Sequence, residues 1–405
     1  MSTSGVTNKL SFPLYLDCHS TTPLDPKALE AMMPYLTTDF GNASSKSHCF
    51  GWKAECAVEK SRDRVAKVLA ASSREIVFTS SATESNNFVL TGVVEKYGHL
   101  GKHIITTEIE HKCILSTAKY LEGKGVEVTY LPVDNTGKIR LADLEKAIRP
   151  STILISVMMA NNETGTIQPV AEIGALARAH NVLFHTDAAQ AVGKIPIDVN
   201  KMNIDLLSLS AHKFYGPKGV GAVYIRRKNP RVEIEPLLHG GGQENGFRSG
   251  TLNVPGIVGM GMAAEIAGAH LDQEVARLSY LRDKLHNGLK EQLGEVFLNG
   301  HPSDRLPGSL NISFPFIESD SLVANLKTIA ISSTSACMSA AAIPSYVLAA
   351  MGVPAEQIHS SVRFGLGRFT TEEEIVYTID TVSQCVKQLQ KASPLYQLSE
   401  KGAQG

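Results

Sequence analysis

The sequence has no closely spaced cysteine pair, no long hydrophobic run and no block of like charge. Its six cysteines never form a Cys-x-x-Cys pair, which argues against a zinc ribbon and against a secreted disulfide scaffold. Because no run of about 18 apolar residues occurs, we expect no membrane span. Lys and Arg number 39 against 40 Asp and Glu, a net charge of -1 that indicates neither a nucleic-acid nor a membrane partner.

The N-terminus also lacks targeting features. MSTSGVTNKLSFP has neither the apolar core of a signal peptide nor the Arg-rich amphipathic pattern of a transit peptide. We therefore expect a cytoplasmic protein with reduced thiols. The chain has 405 residues, 43% of them hydrophobic, which is long enough for two domains.

Short apolar runs rich in β-branched residues alternate with helical patterns between Glu75 and Arg227. This alternation predicts an α/β fold with a mostly parallel sheet covered by helices. The predicted strands are Ile76–Phe78, His103–Thr107, Val126–Leu131, Ile153–Met159, Val182–His185, Leu206–Leu209 and Val220–Ile225.

The pattern changes after Pro255. A long helical stretch runs to Leu293, with an interruption predicted at Gly268, and is followed by mixed strand and helix. Ser309–Phe314 and Ser361–Leu366 are the strands predicted there. The change indicates a crossing into a second, smaller domain.

Polar side chains follow several of the predicted strands within a few positions. In a parallel sheet covered by helices, ligands gather outside the carboxyl ends of the strands. The sequence therefore predicts a binding site built from residues at this edge, namely Thr83, His111, Asn162, Asp187 and Lys213.

Lys213 lies where an apolar strand runs into the Gly/Pro-rich turn of SAHKFYGPKG. An unpaired ammonium is costly in a buried position, and a Schiff base with an aldehyde cofactor is one way to remove its charge. A P-loop is excluded because no Gly-Lys-Ser/Thr occurs at the required spacing. On this segment alone, a solvated lysine at the rim of the sheet is the ordinary alternative.

Pyridoxal phosphate needs a lysine, an acid at its pyridine nitrogen, donors for its phosphate and a flat group over its ring. Asp187 ends a buried strand, where a carboxylate needs a cationic partner such as a pyridinium. Gln190 is placed to bond the ring hydroxyl. The alternatives for Asp187 are a helix cap or, with His185, a metal pair that lacks a third ligand.

Candidates for the phosphate site and the stacking group are also present. Residues 79–86, TSSATESN, join a strand to a helix, and a hydroxyl-rich helix N-terminus is either a phosphate site or an ordinary N-cap. Ser210 and His212 add phosphate donors. His111 is placed to stack on the ring and move protons, although a lone His is more often structural. With Cys113 it could also form a metal pair, but no further ligand supports one.

Ten segments, in order along nearly the whole chain, resemble those of cysteine desulfurases, the NifS-like group of fold-type I pyridoxal-phosphate enzymes in the class-V aminotransferase family. The segments are YLDCHSTTPLDP, FGNASSKSHCFGW, EIVFTSSATESNN, TEIEHK, NNETGTIQP, HTDAAQAVGK, SAHKFYGPKGVGA, HGGGQENGFRSGTLNVP, SSTSACMSA and SSVRFGLGRFTTEEE. The resemblance implies a large pyridoxal-phosphate-binding domain of residues 17–263 around a seven-stranded sheet. It also implies a smaller α+β domain of residues 1–16 and 264–405.

The resemblance implies a role for each candidate residue. Lys213 carries the cofactor and moves the substrate Cα proton, Asp187 pairs with the pyridinium, and His111 stacks on the ring as an acid/base. Arg363, with Asn162, clamps the substrate carboxylate, whereas taken alone Arg363 is an ordinary strand residue. Further cofactor contacts are implied for Ala82, Thr83, Asn162, Gln190, Ser210, His212 and, in a homodimer, Thr251 of the partner subunit.

Cys337, in SSTSACMSA, is implied to be the nucleophile, on a mobile loop of about residues 330–344. A buried structural thiol is the commoner fate of a free cysteine. The implied reaction converts L-cysteine to L-alanine and leaves the sulfur on Cys337 as a persulfide. The sulfur then passes to an iron-sulfur scaffold or another acceptor protein. The alternatives are a selenocysteine lyase or aminotransferase of the same fold, and a cofactor-free scaffold.

Two departures from the family pattern concern the backbone. Ser81 and Thr334 stand where the family usually has glycine. If either position requires a positive φ, the side chain strains it.

Overall fold

The computed structural model describes residues 10–333, 344–394 and 396–398. The strands are β1 (Leu14–Tyr15), β2 (Ile76–Thr79), β3 (His103–Thr107), β4 (Glu127–Leu131), β5 (Thr152–Ser156), β6 (Leu183–Asp187), β7 (Leu206–Ser210), β8 (Gly221–Ile225), β9 (Phe297–Asn299), β10 (Ser309–Ser313), β11 (Ile329–Ala330), β12 (Ser332–Ser333) and β13 (Ser361–Gly365). The helices are α1 (Pro26–Thr37), α2 (Cys49–Val68), α3 (Ala82–Tyr97), α4 (Lys112–Glu122), α5 (Leu141–Ala147), α6 (Val170–Ala179), α7 (Val254–Leu293), α8 (Ser319–Asn325), α9 (Tyr346–Ala350), α10 (Ala355–His359) and α11 (Glu372–Ala392).

A seven-stranded sheet in the order β2-β8-β7-β6-β5-β3-β4 lies at the centre of the larger core. β7, β6, β5, β3 and β4 pair in parallel, and β8 is antiparallel to both of its neighbours. The predicted α/β class and all seven predicted strands are therefore confirmed. β5 ends at Ser156 and not at Met159 as predicted, and the N–H of Met158 bonds the Glu110 carboxylate.

The smaller part of the protein has its own sheets and core. β12, β13, β10 and β9 form an antiparallel sheet, and β1 pairs in parallel with β11. Leu16, Ile312 and Phe364 belong to an apolar core distinct from the core of the large sheet. We propose, on these two cores, the domain division given by residues 17–263 against 1–16 and 264–405. The proposed boundary falls inside helix α7.

Helix α7 is continuous, so the predicted interruption at Gly268 was wrong. A Cβ at Gly268 would lie only 3.0 Å from Cγ1 of Val68, which indicates that this glycine lets α2 pack closely against α7. α7 is also long and apolar enough to cross a membrane. However, 56% of its most apolar window is buried inside the protein, which is the pattern of a core helix.

Candidate active site

A cavity of about 320 Å³ lies at the carboxyl ends of the parallel strands. Residues far apart in the chain meet there because parallel strands bring their carboxyl ends to one edge. Ten of the residues predicted from the sequence line this cavity: Ala82, Thr83, His111, Asn162, Asp187, Gln190, Ser210, His212, Lys213 and Arg363.

The cavity of the single chain does not include the other two predicted residues. Thr251 is exposed just before α7 and is absent from the described cavity wall. Its predicted role belongs to the cavity of a partner subunit, which one chain does not test. Cys337 lies outside the described residues, as does Thr334 with its predicted strain.

Lys213 closes a single 3₁₀ turn, Ala211–Lys213, directly after β7. Its Nζ donates to the carbonyl oxygens of His19 at 2.8 Å and Ser20 at 2.7 Å. The carbonyl oxygen of His212 accepts from the backbone N–H of Thr22 at 2.9 Å. This backbone bond also connects the turn to the segment that follows β1. These bonds hold the lysine amine against the cavity wall.

Asp187 ends β6 and is only 6% exposed. Its Oδ1 accepts from the N–H of Ala189 at 2.9 Å and its Oδ2 accepts from Nδ2 of Asn86 at 2.7 Å. Neither donor is cationic, so a positively charged group in the cavity would complete the charge balance of this carboxylate. The metal pair with His185 is wrong, because both ring nitrogens of His185 bond serine hydroxyls within 3.0 Å. Burial also lowers the pKa of His185 to about 3.

Helix α3 begins at Ala82 beside the cavity, with Ser81 as its N-cap. The Oγ of Ser81 accepts from the N–H of Glu84 at 3.2 Å. Ser81 has φ -174°, which is extended backbone, so the condition for strain at this position is not met. The close approach falls on Gly221 of β8 instead, where a Cβ would lie 2.8 Å from the carbonyl carbon of Ser81.

The start of α3 carries an acidic residue, Glu84, whose charge would repel an anion. Its carboxylate accepts from Nε of Arg248 at 2.8 Å and from the N–H of Ser80 at 2.9 Å. Burial raises the pKa of Glu84, but the bonds from Arg248 and Ser80 outweigh it and hold that pKa below its usual value. Because Arg248 neutralises this charge, the helix start remains suited to a phosphate.

His212 and Ser210 line the same cavity as this helix start. Nδ1 of His212 is 3.1 Å from Oγ1 of Thr21. Burial, with the positive charges of Lys213 and Lys218, lowers the pKa of His212 to about 4. His212 is therefore neutral at physiological pH and offers one N–H donor.

His111 is the N-cap of α4, and its Nδ1 accepts from the backbone N–H of Cys113 at 3.2 Å. His111 lines the cavity and is exposed in the single chain, although protein atoms surround much of its ring. This desolvation, aided by Lys213 and Lys112, outweighs the attraction of Asp187 and lowers the pKa of His111 below its usual value. The imidazole is therefore neutral at physiological pH.

Arg363 on β13 brings a buried guanidinium to the cavity. It donates to the carbonyl oxygen of Asn162 and to Oδ1 of Asp17, each at 2.8 Å. Its Nε, and the buried Oδ1 of Asn162, have no hydrogen-bond partner among the described residues. Buried polar groups are normally paired, so a ligand with both acceptor and donor atoms would satisfy these two positions.

The amide of Gln190, in the cavity wall, has a hydrogen-bond partner at each of its two polar atoms. Its Nε2 donates to the carbonyl oxygen of His19 at 2.8 Å, and its Oε1 accepts from Nζ of Lys194 at 3.0 Å. Burial, with the nearby charge of Lys213, lowers the pKa of Lys194 to about 7. The amide of Gln190 is thereby held in one orientation at the cavity wall.

Sequence reasoning missed several residues at this site, including His19, Asn86 and Glu110. His19 is 2% exposed and lines the cavity, and its ring nitrogens have no partner in the part of the chain that the structure describes. Burial and surrounding cations hold the pKa of His19 well below its usual value. The sequence signal that could have identified these residues is their position inside three of the segments that resemble the family, namely YLDCHSTTPLDP, EIVFTSSATESNN and TEIEHK.

Glu110 is fully buried directly before His111. Its Oε1 accepts from the N–H of Met158 at 2.8 Å and from Oγ1 of Thr107 at 2.9 Å. Burial, with repulsion from Asp187, outweighs these bonds and raises the pKa of Glu110 from 4.5 to about 8. This side chain is therefore a neutral acid at physiological pH.

We expect Glu110→Gln to flatten the pH dependence of stability. Because the folded pKa lies above the unfolded one, the contribution of Glu110 to the free energy of unfolding is complete below about pH 4.5 and is lost as the pH rises through 8. Glu110→Gln should reduce the slope of the free energy of unfolding against pH by at most about 1.4 kcal/mol per pH unit. Urea unfolding across this range measures it, and identical pH profiles for the variant and the wild type would contradict the expectation.

Comparison with known proteins places this geometry in context. Residues 14–377 match the family described as Aminotransferase class-V. The chain is 54% identical over 393 residues to cysteine desulfurase IscS of Anaeromyxobacter dehalogenans, covering 97% of both chains. It is 51% identical over 395 residues to cysteine desulfurase IscS of Rickettsia akari, covering 98% of this chain and 96% of the relative.

Solved structures are similar over most of the chain. A NifS-like protein superposes with a TM-score of 0.86 and 42% identity, over 93% of this chain and 99% of its own. SspA in complex with cysteine superposes with a TM-score of 0.79 and 39% identity, over 88% of this chain and 100% of its own.

Proposed function

The chain belongs to the class-V aminotransferase family, and from this membership we propose that it is a pyridoxal-phosphate-dependent cysteine desulfurase. It converts L-cysteine to L-alanine and transfers the sulfur to Cys337 as a persulfide. The observation that carries the proposal is the convergence of Lys213, Asp187 and Arg363 on one cavity. The identity of more than half to a cysteine desulfurase over nearly the full length supports the same reaction.

The cavity residues fit pyridoxal phosphate. Asp187, whose hydrogen-bond donors are both uncharged, would pair with the pyridine nitrogen, and Oδ1 of Asn162, which has no partner among the described residues, could accept a hydrogen bond. When bound, the cofactor supplies an aldehyde and an electron-withdrawing ring. The residues that would hold its phosphate are Ala82 and Thr83 at the start of α3, together with Ser210 and His212. Gln190 would lie beside the ring.

The chain's own residues orient the substrate and move its proton. Arg363 would bind the carboxylate of cysteine, because it lines the cavity and a planar guanidinium suits a carboxylate. Lys213, held at the cavity wall by two carbonyl groups, would remove the proton from Cα. Asp187 would keep a positive charge opposite itself, which favours loss of that proton.

Cys337 would act as the nucleophile toward the substrate sulfur. Its thiolate attacks that sulfur, so a sulfur-sulfur bond forms while the carbon-sulfur bond of cysteine breaks. In total, L-cysteine and the Cys337 thiol give L-alanine and the Cys337 persulfide, with no net oxidation or reduction. A sulfur acceptor then takes the outer sulfur atom.

The proposal extends to partners. We propose a homodimer in which Thr251 of the partner subunit completes the phosphate site, supported by its exposed position before α7. Leu237 and Leu238 in the loop leading to it are also about two-fifths exposed, which suits an interface. The proposed acceptors are an iron-sulfur scaffold or other sulfur-carrying proteins, and the proposed location is the cytoplasm.

Mass spectrometry after exposure to L-cysteine tests the proposed function. We expect one added sulfur atom on the peptide that contains Cys337, and alanine in equal amount to the sulfur released on reduction. Cys337→Ala should retain the cofactor but form neither persulfide nor alanine. An aminotransferase would give a keto acid without persulfide. Failure of the purified protein to bind pyridoxal phosphate would contradict the proposal.

A further inference from the structure

Four side chains form a continuous hydrogen-bonded row along the cavity: Asp187, Asn86, Cys113 and His111. Nδ2 of Asn86 donates to Oδ2 of Asp187 at 2.7 Å and to Sγ of Cys113 at 3.2 Å. Sγ of Cys113 in turn lies 3.0 Å from Nδ1 of His111. The row therefore joins the acid at one side of the cavity to the imidazole at the other.

The amide of Asn86 has one acceptable orientation in this row. A primary amide carries two donor hydrogens on Nδ2, and the two contacts use both of them. The reverse orientation would turn the amide oxygen toward the acceptor Oδ2 of Asp187, which is repulsive. Sγ of Cys113 is therefore an acceptor from Asn86.

A backbone N–H supplies the first of two hydrogen bonds that favour one protonation state of His111. The N–H of Cys113 donates to Nδ1 of His111 at 3.2 Å, so this nitrogen offers a lone pair and carries no hydrogen. This N–H is one of the unpaired donors at a helix N-terminus, which are normally satisfied by a capping acceptor. The remaining hydrogen of the neutral ring is then on Nε2.

The thiol of Cys113 adds a second donor to the same nitrogen. With Nδ1 unprotonated, a separation of 3.0 Å from Sγ is attractive only if the hydrogen between the two atoms belongs to the thiol. Burial, with repulsion from Asp187, raises the pKa of Cys113 to about 12, so the thiol keeps its hydrogen at physiological pH. Thr83 also bonds this sulfur.

We infer that Cys113 is a positioning residue that holds His111 in the Nε2–H tautomer, so that the neutral ring offers Nε2–H to the cavity as a hydrogen-bond donor. The inference deepens the proposed function and rests on it for the kinetic consequence. As a base, His111 would have to accept a proton at Nδ1, where two donors already point. The charged groups that act electrostatically on the ring are Asp187, Lys213 and Lys112. This arrangement hinders proton uptake at Nδ1 and leaves Nε2–H as a hydrogen-bond donor for a group in the cavity.

The tautomer is measured by long-range proton-nitrogen correlation NMR of the holoenzyme labelled with ¹⁵N-histidine. Signals of His111 are identified by their absence in His111→Gln. In the wild type we expect Nδ1 to resonate as an unprotonated nitrogen and Nε2 as a protonated one. Cys113→Ala should shift the ratio about fivefold toward Nδ1–H, as expected for the loss of one hydrogen bond. Cys113→Ser, whose hydroxyl still donates, should retain the wild-type spectrum.

Kinetics provide a second readout. Cys113→Ala should lower kcat for alanine formation with little change in KM, Cys113→Ser should restore it, and the exposed Cys56→Ala should behave as the wild type. A wild-type spectrum that shows the hydrogen of His111 on Nδ1 would overturn the inference, even if a variant folds poorly. Equal spectra for Cys113→Ala and the wild type would also overturn it. Because the spectra need no turnover, failure of the desulfurase reaction alone would leave this test intact.

Discussion

Lys213→Ala is expected to abolish alanine formation, with kcat at least about 10²–10⁴-fold below the wild type. The substitution removes the amine that the carbonyl groups of His19 and Ser20 hold at the cavity wall and that is proposed to take the Cα proton. The nearby amine of Lys194 bonds Oε1 of Gln190, so we expect it to replace neither the position nor the proton transfer of Lys213. Alanine release under saturating cysteine measures the effect.

The matched control is Lys201→Ala, because the side chain of Lys201 is 86% exposed and pairs only with its neighbour Asp198 among the described ion pairs. We expect this control to keep wild-type activity. The visible absorbance of the bound cofactor should also change in Lys213→Ala and stay unchanged in the control. A Lys213→Ala protein that retains a tenth of wild-type kcat would show that another group takes the proton.

Asp187→Asn is expected to lower kcat by about 10²–10³-fold, the scale measured when one electrostatic group of an active site is removed. Asparagine keeps the shape of the side chain but removes the negative charge that faces the cavity. Its NH₂ group would also meet Nδ2 of Asn86, which now donates to Oδ2. KM for cysteine should change little, because the proposed partner of the substrate carboxylate is Arg363 and not Asp187.

The comparison for this prediction is Asp198→Asn, a change of the same chemistry on the surface. Steady-state kinetics with cysteine separate kcat from KM, and a titration with pyridoxal phosphate measures retention of the cofactor. The expected pattern is a loss confined to kcat in Asp187→Asn. Equal kcat in the two variants would mean that the carboxylate of Asp187 has no electrostatic role.

Local sequence patterns were sufficient for the elements and for most of the cavity wall. Apolar runs of three to seven residues between helical patterns give the strands of a mostly parallel sheet, and side chains that follow the parallel strands meet at one edge. Asp187 and Lys213 could be placed in this way because strand ends are local features. The resemblance added Arg363, which lies on another sheet and carries no local signal of its own.

Packing between elements produced features that no local pattern contains. Gly268 read as a helix break because its intrinsic helix propensity is poor, whereas its contact with Val68 explains the glycine within a continuous helix. Apolar residues 157–159 read as strand, but the N–H of Met158 bonds Glu110.

The residue types and their spacing were enough to define the α/β sheet, its ligand-binding edge and the kinds of side chain that lie there. The protonation and orientation of those groups came from folding alone. Asn86 donates to Asp187, which lies 101 positions later in the sequence. The same amide nitrogen of Asn86 also donates to Sγ of Cys113. Donor direction and desolvation depend on such distant neighbours, because hydrogen bonds act over about 3 Å in space and not along the chain.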